Sequence, residues 1–351
     1  MNNVYTYSPL DRVIWDTPSL EAIQNEIKRL NVKKVFIVSS STLSTKTDEI
    51  NKIINTLGKK FSGLFDNCIA HSPLENVIEC VKEVKKNSPD IIITIGGGTP
   101  IDTVKVVQLC YSLGINSVDE LKKISNKHQK IKSKIRQIAI PTTLSGGEYS
   151  IIGGAMDTKI QLKERYTGDD ICPQVVILDP AITLHTPDWL WLSTAIRSVD
   201  HAVEGLCSKS TNPLIPPMAL NSLQLFGNSL RNTYKNRDDI MSRSLSQKAV
   251  WMIAKNLGNT PMGASHGIGY LLGSIGSVPH GHTSCVMLPA VLKWNESYNQ
   301  DKQKWIANAL GRPNLSASEA VGELISDLGL PTTLGDVGIK ESQWEKIAEY
   351  G

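Results

Sequence analysis

The stretch DIIITIGGGTPIDTVKVVQLC, residues 90–110, combines a short apolar strand, a run of three glycines and a helix. A continuous apolar run of strand length is typical of a parallel sheet that is buried on both faces. Gly96, Gly97 and Gly98 let a ligand approach the backbone closely, and the helix that follows offers unpaired N–H groups and the positive end of its dipole. The stretch therefore predicts an α/β fold with a seat for a pyrophosphate. An ordinary tight turn is the alternative, and the spacing matches neither the GxGxxG nor the P-loop pattern.

Helical and strand patterns alternate around this stretch up to about residue 180. Apolar residues recur at helical spacing in several segments, and short β-branched runs separate them. The predicted helices are SLEAIQNEIKRLN (19–31), KTDEINKIINTLGKK (46–60) and LENVIECVKEVKKN (74–87), and the further predicted strands are KKVFIVSS (33–40), FSGLF (61–65), RQIAIPTT (136–143) and PQVVILDP (173–180). The remaining sequence is typical of amphipathic or buried helices. We therefore predict an α/β nucleotide-binding domain at 1–178, with a parallel sheet and helices on both faces, and an all-α substrate and catalytic domain at 179–351.

The composition predicts a protein that binds neither membranes nor nucleic acids. Of the 351 residues, 40% are hydrophobic and 20% are charged, and no apolar run approaches the ~20 residues that span a bilayer. The net charge is only +3, and the basic segment LKKISNKHQKIKSKIR (121–136) contains no aromatic residue to stack on bases. The N-terminus has no secretory signal pattern and the six cysteines form no CxxC pair, so we expect a cytoplasmic protein.

Three further motifs follow the glycine loop in the sequence. They are IPTTLSGGEYS (140–150), DHAVEGL (200–206) and SHGIGYLLGSIGSVPHGHTSCVMLPAVLKWN (265–295). Together with IGGGTPIDTVK (95–105), and in this order, they resemble the iron-containing alcohol dehydrogenase family, which has the dehydroquinate-synthase-like fold. Within that family, PQVVILDPAITLHTP (173–187) and HAVEGLCSKSTNP (201–213) most resemble the maleylacetate reductases.

The resemblance implies an N-terminal domain that binds NAD(P), a helical C-terminal domain, and a cleft between them where a carbonyl is reduced or an alcohol is oxidised. It also implies a homodimer. By position, Asp102 would order the glycine loop. The residues that would hold the pyrophosphate or contact the nucleotide are Gly96, Gly97, Gly98, Thr99, Thr142, Thr143 and Lys163.

The end of the strand VFIV bears on the choice between NADH and NADPH. Many members of the family carry an acid there that binds the ribose diol, whereas this chain has Ser39 and Ser40. Loss of the acid removes a repulsion of a 2′-phosphate, so NADPH should be tolerated or preferred. No arginine replaces the acid nearby, so the choice stays open.

Metal-bound members of the family use an aspartate four residues before a helix histidine and two further histidines fourteen residues apart. His201, His266 and His280 match these histidines, but Arg197 stands where the aspartate is expected. Residues four apart share a helix face, so Arg197 and His201 should face the same space, where a guanidinium cannot ligate a cation and repels one. Asp200 is turned by about 100° from His201 and should not replace the ligand. We therefore expect no tightly bound catalytic metal.

Two interpretations of Arg197 stay open. Its guanidinium either binds a substrate anion or polarises a carbonyl oxygen in place of a metal, or it forms a structural ion pair with Asp200, Glu204 or another acid. The histidines are either hydrogen-bond donors or general acids, or hydrogen-bonded core residues. Tyr270 stands where many metal-bound members have another histidine, and its phenol can also donate a proton. His282 is a further candidate.

These observations predict an NAD(P)H-dependent reductase that transfers hydride to the carbonyl of a small anionic substrate without a catalytic metal. The catalytic candidates are Arg197, His201, His266, Tyr270 and His280. One alternative is an alcohol dehydrogenase that depends on Fe or Zn. Another is a lyase or isomerase that uses the same cleft without net redox change.

Overall fold

The computed structural model describes residues 4–350. The strands among them are β1 (Arg12–Trp15), β2 (Val35–Ser39), β3 (Phe61–Phe65), β4 (Ile91–Gly96), β5 (His128–Gln129), β6 (Arg136–Pro141), β7 (Ile152–Asp157), β8 (Leu162–Gly168) and β9 (Val175–Leu178). The helices up to β9 are α1 (Ser19–Arg29), α2 (Ser41–Lys46), α3 (Glu49–Leu57), α4 (Leu74–Asn87), α5 (Gly98–Leu113) and α6 (Val118–Lys122). The later helices are α7 (Asp188–Cys207), α8 (Ile215–Lys235), α9 (Ile240–Ala254), α10 (Ala264–Gly276), α11 (His280–Trp294), α12 (Gln300–Ala309), α13 (Ala317–Asp327) and α14 (Trp344–Tyr350).

A six-stranded parallel sheet occupies the first part of the chain, in the order β1-β9-β6-β4-β2-β3. Alternate side chains of β2 enter two separate apolar clusters. Phe36 and Val38 belong to a cluster that includes residues of α4 and α5. Val35 and Ile37 belong to a cluster that includes residues of α1 and α3. Helices therefore cover both faces of the sheet, which confirms the predicted fold class.

The strand order reverses direction next to β2. The chain passes from β2 to β3 on one side and then returns to β4 on the other side, from which β6 and β9 continue the sheet. In open α/β sheets, ligands bind outside the carboxyl ends of strands at such a reversal. Because β2 ends at Ser39 and β4 ends at Gly96, the predicted pyrophosphate loop lies at this point.

A three-stranded sheet in the order β5-β8-β7 stands outside the predicted pattern. β7 and β8 form an antiparallel hairpin. Ala155 of β7 and Tyr166 of β8 are buried in the apolar cluster that also contains residues of α5. The sequences IGGAMD and LKERYTG lack the β-branched runs of the central strands, so their pattern gives a weak strand signal.

The described chain folds into two compact units. The α/β unit comprises residues 6–142 and 147–185, and the helical unit comprises residues 4–5, 143–146 and 186–350. The chain leaves the α/β unit for the last time after residue 185, shortly beyond the predicted domain boundary between residues 178 and 179.

The helical unit is built around α7, most of whose residues are buried. α7 packs against α8, α9 and α11. α11 comes so close that a Cβ atom on Gly281 would lie 2.6 Å from the carbonyl carbon and oxygen of Ser193. Glycine at this position thus lets α11, which begins at His280, lie directly against α7. None of the helices among residues 4–350 is both long and apolar enough to cross a membrane.

Candidate functional site

The glycine loop of the α/β unit has the geometry of an anion seat. Gly96 has φ +148°, and a Cβ atom there would lie 2.7 Å from Cγ of Pro100, so only glycine fits. α5 begins at Gly98, with Gly97 in the capping position and no cap from a side chain of the described residues. The first N–H groups of this helix of 16 residues are therefore available to an anion. These residues fit a pyrophosphate.

Three other predicted nucleotide residues lie beside this loop. Thr142 donates its backbone N–H to the carbonyl oxygen of Gly96 at 3.0 Å, which ties the end of β6 to the end of β4. Ser39 is buried at the end of β2, and its Oγ donates to the carbonyl oxygen of Ser40 at 3.1 Å. Ser40 is the residue that precedes α2. Positions 39 and 40 thus offer hydroxyl groups and no carboxylate to a nucleotide.

Asp102 connects α5 with the hairpin of β7 and β8. Its Oδ2 accepts the backbone N–H of Gly154 at 3.3 Å and lies 3.9 Å from Nζ of Lys163. Thr99 belongs to the first turn of α5, and its carbonyl oxygen accepts a hydrogen bond from Oγ of Ser72 at 3.2 Å. Thr143 belongs to the helical unit, where its Oγ1 lies 3.3 Å from Oγ of Ser145.

Lys105 is a buried residue of the α/β unit that the sequence pattern did not single out. Its Nζ donates to the carbonyl oxygens of Gly147 and Ile152, and it lies 3.9 Å from Oδ1 of Asp102. Complete burial lowers the pKa of Lys105, while Asp102 opposes this shift. The ammonium group therefore fastens the segment after residue 146 to α5, one turn after Asp102.

Four polar residues of α7 form one buried face in the helical unit. They are Arg197, Asp200, His201 and Glu204, all less than 9% exposed. Their spacing of three and four residues places them on the same side of the helix. Arg197 and His201, four residues apart, are both buried on this face of α7.

Arg197 makes no close ion pair with another described residue. Its Nη1 donates to Oγ of Ser284 at 3.1 Å, and Oδ2 of Asp200 lies 3.9 Å away. The guanidinium carbon also lies 5.7 Å from the centre of the Tyr270 ring, within cation–π range. A separation of 3.9 Å is too long for a good hydrogen bond, so Asp200 balances the charge of Arg197 only in part.

His201 and His266 stack on each other. Their ring centres are 4.9 Å apart and their planes are inclined by 30°. Burial lowers the pKa of His201 well below its ordinary value, and His266 and Arg197 lower it further. Burial also opposes a charge on His266, but Asp200 and Glu204 outweigh it and raise the pKa of His266. Nδ1 of His201 and Nε2 of His266 are buried and have no hydrogen-bond partner among the described residues.

Tyr270 and His280 complete the group of predicted catalytic residues. Their rings meet edge to face at 6.1 Å, and Tyr270 is 55% exposed. All five candidates thus lie in one connected group in the helical unit. His282 instead packs edge-on against Trp189, with ring centres 5.8 Å apart.

Two carboxylates, those of Asp200 and Glu204, also belong to this group. Asp200 accepts hydrogen bonds from the hydroxyls of Ser265 and Ser284, both at 2.7 Å, and its Oδ2 lies 3.3 Å from Nδ1 of His266. Burial alone would raise the pKa of Asp200, but His266 and Arg197 hold it at about 2. Asp200, although turned by about 100° from His201, also lies on the buried face of α7.

A metal ion fits these donors poorly. Ligand atoms of Asp200, Glu204 and His266 lie within 4.8 Å of one another. However, Nδ1 of His266 is already 2.7 Å from Oε2 of Glu204, and both carboxylates accept further hydrogen bonds from hydroxyl or backbone N–H groups. A cation at Nδ1 of His266 would have to displace the hydrogen bond to Glu204, whereas Oδ1 of Asp200 has no partner among the described residues. At the three histidines, the buried charge of Arg197 opposes a cation.

Comparison with known proteins identifies the family over most of the chain. Residues 11–180 match the family Iron-containing alcohol dehydrogenase, and residues 192–351 match Fe-containing alcohol dehydrogenase family, C-terminal. Dehydrogenase ALT3 of Alternaria alternata is 33% identical over 354 residues, covering 90% of this chain and 91% of that protein. A maleylacetate reductase of Pseudomonas knackmussii is 27% identical, covering 99% of this chain and 91% of that protein.

A solved structure gives the same result for the fold. The structure of sulfoacetaldehyde reductase from Bifidobacterium kashiwanohense in complex with NAD+ has a TM-score of 0.89 at 20% identity, covering 100% of this chain and 92% of that one. The predicted family, the likeness to maleylacetate reductases and the predicted fold are confirmed. The chain therefore belongs to the iron-containing alcohol dehydrogenase family and is an oxidoreductase.

Proposed function

We propose that this oxidoreductase uses NAD(P)H to reduce the carbonyl group of a small anionic substrate, and that it does so without a bound metal. The maleylacetate reductases among its relatives make maleylacetate the first substrate to test. The observation that carries the proposal is Arg197, a buried guanidinium at the position where metal-bound relatives have an acid. It is 8% exposed, and the carboxylate of Asp200 lies 3.9 Å away.

A buried charge that is only partly balanced is costly, and a bound anion reduces this cost. Asp200 divides its interactions among Arg197, His266 and two serine hydroxyls. Arg197 makes a neutral hydrogen bond to Ser284 and retains further donors in its planar fork. A substrate carboxylate would bind this fork through charge-assisted hydrogen bonds.

The two stacked histidines supply donors for the carbonyl oxygen. His266, with its raised pKa, is the residue that donates a proton at Nε2 as negative charge develops on that oxygen. His201, with its lowered pKa, stays neutral and hydrogen-bonds the same oxygen or the adjoining part of the substrate. Tyr270 and His280 border the substrate on the side of Arg197.

The glycine loop and its neighbours fit the cofactor, which supplies the hydride when bound. Gly96, Gly97, Gly98 and Thr99 would hold the pyrophosphate at the N-terminus of α5. The absence of a carboxylate at Ser39 and Ser40 supports the use of NADPH as well as NADH.

We also propose a homodimer and a cytoplasmic location. β1 pairs with β9 alone among the described strands, and Trp15 on it is 48% exposed, so a second copy has an accessible edge to cover. All six cysteines are free thiols, which supports a reducing compartment. Sedimentation equilibrium would test the dimer.

A second candidate is a metal-dependent alcohol dehydrogenase. The cluster of Asp200, Glu204 and His266, whose ligand atoms lie within 4.8 Å of one another, favours it. In that case activity would require Fe or Zn, and neutral aldehydes would be reduced as well as oxo acids.

A substrate panel of charge-matched pairs tests the proposal. Each small oxo acid, including maleylacetate, is offered together with its neutral amide, with NADH and NADPH in parallel and oxidation of the cofactor followed by absorbance. We expect the oxo acids to be reduced with a much higher kcat/KM than their amides. Equal kcat/KM for acid and amide would contradict the anionic substrate.

A further inference from the structure

Glu204 is hydrogen-bonded at both of its carboxylate oxygens. It is 6% exposed, and its carboxylate accepts from three donors. Oε1 accepts the backbone N–H of Ser265 at 2.7 Å, and Oε2 accepts the backbone N–H of Gly263 at 2.8 Å. Oε2 also lies 2.7 Å from Nδ1 of His266. One side chain of α7 therefore holds both the start of α10 and the ring that α10 carries.

The first two of these bonds fix the N-terminus of α10. Gly263 is the capping residue of that helix and has no side chain to accept its N–H groups. The carboxylate of Glu204 takes this place and adds negative charge where the helix dipole favours it. A Cβ atom at position 263 would lie 2.7 Å from Oε1 of Glu204, so the approach depends on glycine.

The third bond fixes the imidazole ring. An acceptor at 2.7 Å from Nδ1 selects a state of His266 in which Nδ1 carries a proton. His201 stacks on one face of the ring, so rotation of the ring about the Cβ–Cγ bond is restricted as well. Nε2 is then the ring nitrogen of His266 that remains to hydrogen-bond a ligand, and it has no hydrogen-bond partner among residues 4–350.

We propose that Glu204 is a positioning residue: through one carboxylate it sets both the start of α10 and the orientation of His266, so that Nε2 faces the carbonyl oxygen of the substrate. This inference rests on the proposed reductase function. Glu204 does not touch the substrate, and its effect passes through His266.

The test compares Glu204→Gln with Asp239→Ala in the full-length protein. Asp239 caps α9 by accepting the backbone N–H of Ser242 at 3.0 Å and touches no histidine, so its loss measures the effect of a missing helix cap alone. We expect both variants to have a lower Tm. Only Glu204→Gln should lose kcat, by about 10- to 100-fold, with the KM for NAD(P)H unchanged. Glu204→Asp, which keeps the carboxylate, should recover part of kcat.

Nitrogen-15 NMR of histidine-labelled protein reads the ring directly, with the signals assigned by comparison with His266→Asn. In the wild type Nδ1 of His266 should be protonated, and in Glu204→Gln, where Oδ2 of Asp200 at 3.3 Å remains as its acceptor, the Nδ1 signal should shift toward that of an unprotonated nitrogen. A bare Nδ1 in the wild type overturns the inference even if Glu204→Gln does not fold. A kcat in Glu204→Gln equal to that of Asp239→Ala also overturns it. Wild-type protein that reduces no oxo acid contradicts the proposed function instead, because that result involves no variant.

Discussion

Replacing Arg197 by Met removes the buried positive charge and should leave the fold intact. Methionine has a similar length and is apolar, so it can keep packing on the ring of Tyr270. Asp200 loses a contact at 3.9 Å but keeps the hydroxyls of Ser265 and Ser284 and its contact with His266. No buried carboxylate is therefore left without partners by this substitution.

The size of the kinetic effect follows from the burial of Arg197. Because the residue is only 8% exposed, solvent screens its interaction with a bound anion weakly. A hydrogen bond to a charged group contributes about 1.5–3 kcal/mol, and about 1.4 kcal/mol corresponds to a factor of ten. The KM of an oxo acid should thus rise by about 10- to 150-fold. The substrate carboxylate takes no part in hydride transfer, so the loss should affect KM more than kcat.

The assay measures KM and kcat of wild type and Arg197→Met with an oxo acid and with its amide. The KM of the acid should rise and that of the amide should stay the same, while the KM of NAD(P)H is unchanged. Arg197→Lys, which keeps the charge but not the planar fork, should fall between the two proteins. If Arg197→Met changes the KM of the acid and of the amide by the same factor, Arg197 has a structural role and does not bind the substrate carboxylate.

Two further predictions concern the α/β unit. Burial raises the pKa of Glu148 from 4.5 to about 7. Below pH 4.5 the carboxyl group is protonated in the folded and the unfolded chain, and its full contribution to stability is present. This contribution is lost as the pH rises through 7, because the unfolded chain ionises first. As the pH rises from 4.5 to about 7, Glu148→Gln should therefore gain up to about 3 kcal/mol of stability over the wild type, and parallel changes of Tm with pH in both proteins would argue against this. Ser40→Asp restores an acid at the end of β2 and should raise the KM of NADPH at least tenfold with little change for NADH; an equal effect on both cofactors would show that the ribose does not lie there.

The apolar strands and amphipathic helices of the first half could be predicted closely. VFIV, IIITIG and VVIL became β2, β4 and β9, and LENVIECVKEVKKN became α4 with the predicted bounds. These segments are set by local periodicity, which the sequence carries directly. The edge strand β1 and the hairpin of β7 and β8 could not be predicted, because their residues alternate weakly and gain their pairing from distant parts of the chain.

The part of the candidate site that lies on a single helix could be predicted from residue spacing. The spacing of Arg197 and His201 correctly indicated a shared face of α7. Their surroundings were not predictable, because Glu204 gains its hydrogen-bond donors only when the N-terminus of α10 packs against it. Lys105 was missed for a similar reason: on a helix that is apolar all round, only the packed structure gives its ammonium group three oxygen acceptors.

The metal content of the active protein tests the central claim most directly. The protein is purified without chelator, its Fe and Zn are measured by elemental analysis, and its reduction of an oxo acid is followed before and after dialysis against a strong chelator. We expect far less than one metal ion per chain and an unchanged rate after dialysis, because Arg197 opposes a cation at the histidines and His266 donates the proton to the carbonyl oxygen. Stoichiometric Fe or Zn, with activity that is lost on dialysis and restored by the metal, would contradict the account.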